Sequence, residues 1–290
     1  MKSFILSLTV LDSISARFAR VGEYFGYAFV RNALAVSVMI ALLASVLGVI
    51  LVLRRYSLIG DGLSHVAFGS AAVAATLGVF DMGITLPITI IAAIFILKGG
   101  EKRKIKGDAA IAVLSAGALA IGYLVLDLGG GTANLGGDVC TALFGSSAIL
   151  SIDTSELIFT CILTALLAAF TVIFYYRIFS VSFDPRFAKA TGEKTGGFDM
   201  AIAIITAIVI VVGMKLAGAL LISALIVFPA MSAMRVSKSF KGVLALSAII
   251  ATVCAIFGVL LSIILETPTG ATIAATDIVA FGIFSLFGKK

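Results

Sequence analysis

From Asn32 to Leu53 the chain carries no charged side chain, and the stretch ends abruptly at Arg54 and Arg55. A helix needs roughly 17 to 25 mostly apolar residues to cross a bilayer, so this run predicts a first membrane span. The same pattern recurs along the chain. Tyr56 to Phe80 is apolar except for Asp61 and His65. Met82 to Leu97 is a short third run, closed by the basic segment KGGEKRKIKGD at 98–108, and Ala109 to Leu126 is a fourth. The glycine-rich GGGTANLGGD at 129–138 reads as a loop. Residues 140–152 are apolar but too few to cross, which predicts a half-helix packed into the protein. Leu157 to Tyr176 is the fifth span, and Arg177 to Asp199 is the longest polar segment.

Met200 to Met234 has only Lys215 as a charge. As one helix it would be about 52 Å long against a hydrocarbon core of roughly 30 Å, so it must double back, with Gly213 and Gly218 as the natural turn. Gly242 to Leu265 and Ala271 to Phe287 complete the pattern, separated by a turn at 266–270. The expectation is an all-α, polytopic transmembrane bundle of eight or nine spans.

Composition agrees. With 61% hydrophobic and 12% charged residues and a mean hydropathy of +1.21, no soluble core could bury so much apolar surface. The formal net charge of +6 therefore reports orientation in a lipid bilayer and not a nucleic-acid partner. If the chain ends near 54, 98, 177, 235 and 288 share one side, sixteen of the 21 Lys and Arg residues lie there, and that side is cytoplasmic. Lys2, Arg17, Arg20 and Arg31 precede the first span and run against this assignment, which leaves room for eight spans. Asp81, Asp127, Asp138, Asp153, Glu156 and Glu266 fall on the outer side, where an acidic mouth would concentrate cations. Residues 1–31 read as an N-terminal amphipathic segment lying on the membrane, and 32–290 as a single transmembrane domain with a cytoplasmic loop at 177–199. Cys140, Cys161 and Cys254 are scattered, without the spacing of a disulfide framework or a zinc knuckle.

Chemistry concentrates at Arg54 to Ser70, RRYSLIGDGLSHVAFGS. On a helix, Asp61 and His65 stand one turn apart on one face. Ionisable groups inside a span normally face a partner, a water-filled cavity or an ion path, and Asp and His both suit first-row divalent metals. The alternative is that Asp61 caps the helix and His65 packs. Asp277 and Lys215 are weaker candidates, Lys215 because snorkelling to the outer interface explains it. There is no GxxxxGK[ST] loop for ATP phosphates and, with one histidine in total, no HExxH motif.

Five blocks, RRYSLIGDGLSHVAFGS, LFGSSAILS (143–151), VSFDPRFAKATG (181–192), MKLAGALLISALIVFPAMSAMR (214–235) and ETPTGATIA (266–274), resemble, in order, the permease subunits of zinc and manganese ABC importers, the ABC-3 family. Phe68 stands where that family often has proline. The resemblance implies a type II ABC importer-like fold in the bacterial plasma membrane and a homodimer. It implies cargo, zinc or manganese, handed over by an external metal-binding protein, with no permanently bound cofactor. The drive would come from separate cytoplasmic ATPase subunits, so the resemblance implies a transport subunit and not an enzyme. It assigns metal contact to Asp61 and His65, and ATPase coupling to Phe183, Asp184, Pro185, Phe187, Ala188, Ala190 and Gly192. A permease for a vitamin or siderophore and a secondary metal transporter are the alternative readings.

Overall fold

With no water to satisfy a backbone in hydrocarbon, an apolar chain of this kind closes its own hydrogen bonds as helices, and the computed structural model is helical throughout its regular structure. It describes residues 24–78, 81–99, 107–129, 154–192 and 195–288. The helices are α1 (Ala28–Leu53), α2 (Ile59–Thr76), α3 (Asp81–Gly99), α4 (Gly107–Leu128), α5 (Thr154–Ile173), α6 (Tyr175–Phe183), α7 (Pro185–Ala190), α8 (Thr195–Ala217), α9 (Ala219–Val236), α10 (Phe240–Leu265) and α11 (Thr269–Phe287). The expected loop at 130–138 and the expected half-helix at 140–152 lie outside the described residues, as does the N-terminal segment up to residue 23; α1 already begins at Ala28.

Among the described residues seven helices are long and apolar enough to cross a membrane: α1, α4, α5, α8, α9, α10 and α11. This corrects the expected eight or nine. The apolar part of α3, Met82–Leu97, is too short by itself, and α2 is diluted by Asp61, His65 and three glycines across its 18 residues. The doubled-back segment behaves as its length demands. α8 stops at Ala217 and Gly218 makes the break, with φ +92, a backbone state open to glycine. Gly213 is not in the turn. It lies inside α8, where a Cβ would stand 2.5 Å from Ile222 Cδ1, so its role is close packing.

α1 is the central post. Leu43, Leu47, Ile50 and Leu51 are fully buried, and α1 is packed by α5, α8, α9 and α10. It meets α9 most closely at Gly48, where a Cβ would fall 1.9 Å from the Ile226 carbonyl oxygen. α11 closes against α9 and α10. The outer surfaces of α4 and α5 stay apolar and exposed, through Val113, Ile121 and Leu124 and through Ile162, Leu166 and Val172. Such lipid-facing bands are what a chain gains by folding in a bilayer.

The alternation expected from charge is visible in three dimensions. Leu53, Arg54, Leu97, Ser182, Pro185 and Asp199 line one cavity. Leu53, Tyr175, Met234 and Phe240 line another, and Gly288 abuts Arg235. The ends near 54, 97, 175–185, 199, 235–240 and 288 therefore gather on one side. Met82, Glu156 and Lys215 meet on the other, with Lys215 exposed in the last turn of α8.

Candidate metal path and coupling face

α2 starts after a tight turn. Arg55 N–H donates to Val52 O at 3.0 Å and Tyr56 N–H to Leu51 O at 2.9 Å, which closes the end of α1 in the manner usually served by glycine. Here Arg55 occupies the left-handed position, at φ 62. The chain then enters α2, whose N-cap is Leu58, without a side-chain cap bond. Asp61 is thus inside the first turn and does not cap it, although a carboxylate there suits the positive end of the helix dipole.

Gly60 and Gly62 decide which way Asp61 faces. A Cβ on Gly60 would approach Ile226 Cδ1 of α9 at 3.0 Å, and one on Gly62 would meet Ile111 Cγ2 of α4 at 2.4 Å. α2 is clamped on these two sides, and the side chain between them projects out of the chain. Asp61 is 58% exposed and His65 18%, with His65 Nε2 3.4 Å from Asp61 Oδ1. His65 Nδ1 is buried with no hydrogen-bond partner among the described residues. The pair thus offers one carboxylate and one imidazole on a partly open stripe, near the end of α2 that shares its side with α6 and α7. Among the described residues no group of three or more His, Cys, Asp or Glu gathers into a metal-sized cluster, so the described residues bring two donors together here.

The segment after α5 was expected as a cytoplasmic coupling loop at 177–199; its described residues are mostly helical. α6 shows Tyr176, Phe179 and Phe183 outward and buries Ile178 and Val181. α7 begins as its sequence directs: Asp184 Oδ1 accepts from Phe187 N–H at 3.0 Å, with Pro185 at the first helical position. Gly192 ends the segment at φ +87, its N–H donating to Lys189 O at 3.1 Å. Ala188 is buried and anchors the short helix, while Phe183, Phe187 and Ala190 are exposed. A corner from α6 into the capped α7, with the rings of Phe183 and Phe187 outward, is suited to docking.

Two features escaped the sequence. Arg54 Nη2 donates to Asp199 Oδ1 in an ion pair that joins α1 to α8, with side-chain exposures of 7% and 24%. Residues 145 apart leave no local pattern to find. Asp277 on α11 is 1% exposed, and neither of its oxygens has a hydrogen bond of ordinary geometry among the described residues. Beside it, Thr276 Oγ1 donates to the Cys254 carbonyl at 3.0 Å. Cys161 and Cys254 are free, and Cys140 lies outside the described residues.

Comparison with known proteins adds to this geometry. Residues 26–288 match the ABC 3 transport family. A protein named "Uncharacterized membrane protein in ycf23-apcF intergenic region" from Cyanophora paradoxa is 30% identical over 99% of this chain and 95% of its own length. The "Manganese transport system membrane protein MntC" of Listeria innocua is 28% identical, covering 91% of this chain and 92% of that one. Among solved structures, "PsaBC from Streptococcus pneumoniae in complex with Fab" superposes with a TM-score of 0.78 at 26% identity, covering 93% of this chain and 95% of the other.

Proposed function

This chain belongs to the ABC 3 transport family, and from that premise we propose that it is the membrane permease of an importer for a divalent metal ion of the manganese or zinc class. The observation that carries the reading is the Asp61–His65 pair: two donors suited to such ions, 3.4 Å apart and partly open on a helix clamped by glycine contacts. The kinship with a manganese transport system membrane protein supports the cargo class. A vitamin or siderophore would need neither donor.

Two donors from one chain bind weakly, which suits conduction, since a full structural site would retain its ion. A second copy related by a two-fold axis would bring a matching pair to the first and complete four ligands. The exposed position of Asp61 on a single chain supports that arrangement. The drive comes from separate ATPase subunits docking on α6 and α7, where Phe183 and Phe187 stand outward, and an external binding protein delivers the ion. The metal is cargo and stays bound to no resident site.

The test is reconstitution of the purified permease in vesicles with its ATPase and its binding protein. Manganese or zinc should accumulate only when all three and ATP are present. Accumulation of either metal without the ATPase would make the chain a secondary transporter.

A further inference from the structure

Between the metal pair and the docking helices stands a polar contact that neither function requires by itself. Arg54 closes α1 and stands seven residues before Asp61; Asp199 lies in the second turn of α8, nine residues after the end of α7. Their ion pair is a side-chain bond that joins the end of α1 to α8 beside these two parts of the chain. Around it lies a cavity of about 260 Å³ walled by Arg54, Arg55, Ser182, Pro185 and Asp199. Thus the α6–α7 corner and the α1–α2 turn face each other across the pair.

Two further observations say how this contact behaves. Arg54 Nε and Ser182 Oγ are buried without hydrogen-bond partners among the described residues, and both residues line the cavity, so the space between corner and turn is not filled by those two groups. The turn is fixed: Arg55 is held left-handed at φ 62, a state that persists in a non-glycine residue only when its surroundings over-determine it. This fixed turn leads directly into α2, and the charged contact of Arg54 with Asp199 ties it to the start of α8 beside the corner.

We propose that Arg54 and Asp199 form the joint through which displacement of the ATPase-docked α6–α7 corner reaches Asp61 and His65. They are positioning residues, not metal ligands, and the proposal rests on the permease reading above. α8 carries the movement from α7 to Asp199, the ion pair carries it to Arg54, and the stiff turn passes it to the first turns of α2. Coupling of this kind needs a physical element that both sites bias, and a charged pair at the edge of a polar cavity is such an element.

The experiment compares the wild-type permease–ATPase complex with Arg54→Gln, Asp199→Asn, the double variant and Arg54→Lys, all in vesicles with the binding protein. Three quantities are read: co-purification with the ATPase, ATP hydrolysed, and manganese or zinc imported per ATP. In Arg54→Gln and Asp199→Asn assembly and hydrolysis should persist while metal per ATP falls roughly 3- to 30-fold, the span of mutational effects on coupling. The double variant should be no worse than either single one, because the same contact is lost, and Arg54→Lys should recover most of the ratio. If hydrolysis and import fall in proportion, or if every variant fails to assemble, the pair is a structural fastener and the proposal is overturned. A wild-type complex that imports neither metal would overturn the permease reading itself, and that result is seen before any variant is made.

Discussion

Gly69 of α2 and Gly122 of α4 meet backbone to backbone. A Cβ built on Gly122 would stand 2.8 Å from Gly69 Cα, and one built on Gly69 would stand 2.4 Å from the Ala118 carbonyl oxygen. In lipid, helices associate through close van der Waals contact, which small residues permit. The helix that carries Asp61 and His65 is thus set against α4 by absent side chains.

Enlarging Gly122 to leucine should therefore force the helices apart and destabilise the protein by about 1–3 kcal/mol, the usual cost of overpacking. Gly117, five residues earlier on the same helix, has nothing within 4 Å of a built Cβ; Gly117→Ala should be neutral or stabilising by up to about 1 kcal/mol through helix propensity. Thermal unfolding in detergent checks both. Equal effects at the two positions would mean that the close approach does not hold α2 in place.

Orientation is the second prediction. α10 is 26 residues long, about 39 Å, and separates Lys238 from Thr267. In a background without Cys140, Cys161 and Cys254, a membrane-impermeant thiol reagent added outside intact cells should label a cysteine at 267 and spare one at 238. The reverse pattern would invert the whole assignment, since the ends gathered with 238 include α6 and the start of α7.

At the coupling face, Phe187→Ala removes an exposed ring without touching the Asp184 cap or the buried Ala188 that hold α7. Docking should weaken by about 2 kcal/mol or more, as for an aromatic hot spot, with the permease still folded. Asp184→Ala acts differently: it deletes the cap of α7, at about 0.5–2 kcal/mol, and should loosen docking through the helix. ATPase co-purification and stimulated hydrolysis measure both variants, and unchanged values for Phe187→Ala would leave α7 a simple connector.

What the sequence disclosed follows the range of the forces involved. Long apolar runs predicted α1, α8, α10 and α11 to within a few residues of their observed starts, because hydrocarbon length and backbone satisfaction act locally. Asp61 with His65, and the Asp184–Pro185 start of α7, were legible because a helix brings i, i+4 and cap positions together. The helix over 175–183 was missed although Tyr176, Phe179 and Phe183 recur at the helical spacing i, i+3, i+7, because Arg177, Ser180 and Ser182 between them make so short a stretch read as polar. Gly213 was assigned to a turn that belongs to Gly218 alone, because spacing does not distinguish a glycine kept for a bend from one kept for contact with Ile222. The Arg54–Asp199 pair and the complete burial of Asp277 depend on tertiary packing and leave no local trace.

The last prediction concerns the metal donors. Asp61→Asn keeps shape and removes the charge that attracts a cation; His65→Ala removes the imidazole while leaving α2 clamped by Gly60 and Gly62. Neither side chain caps the helix, so both variants should fold and hold the ATPase, and each should lower manganese or zinc uptake in reconstituted vesicles by at least about tenfold, the loss expected when a donor supplying roughly 1.4 kcal/mol or more is removed. His65→Asp restores a metal-competent oxygen donor and should recover part of the uptake, because first-row divalent ions accept carboxylate as well as imidazole. That recovery separates a ligand from a packing residue: a histidine kept only for its fit would not be replaced by a second carboxylate beside Asp61, where like charges repel. Wild-type uptake in both Asp61→Asn and His65→Ala would place the ion's route elsewhere in the bundle.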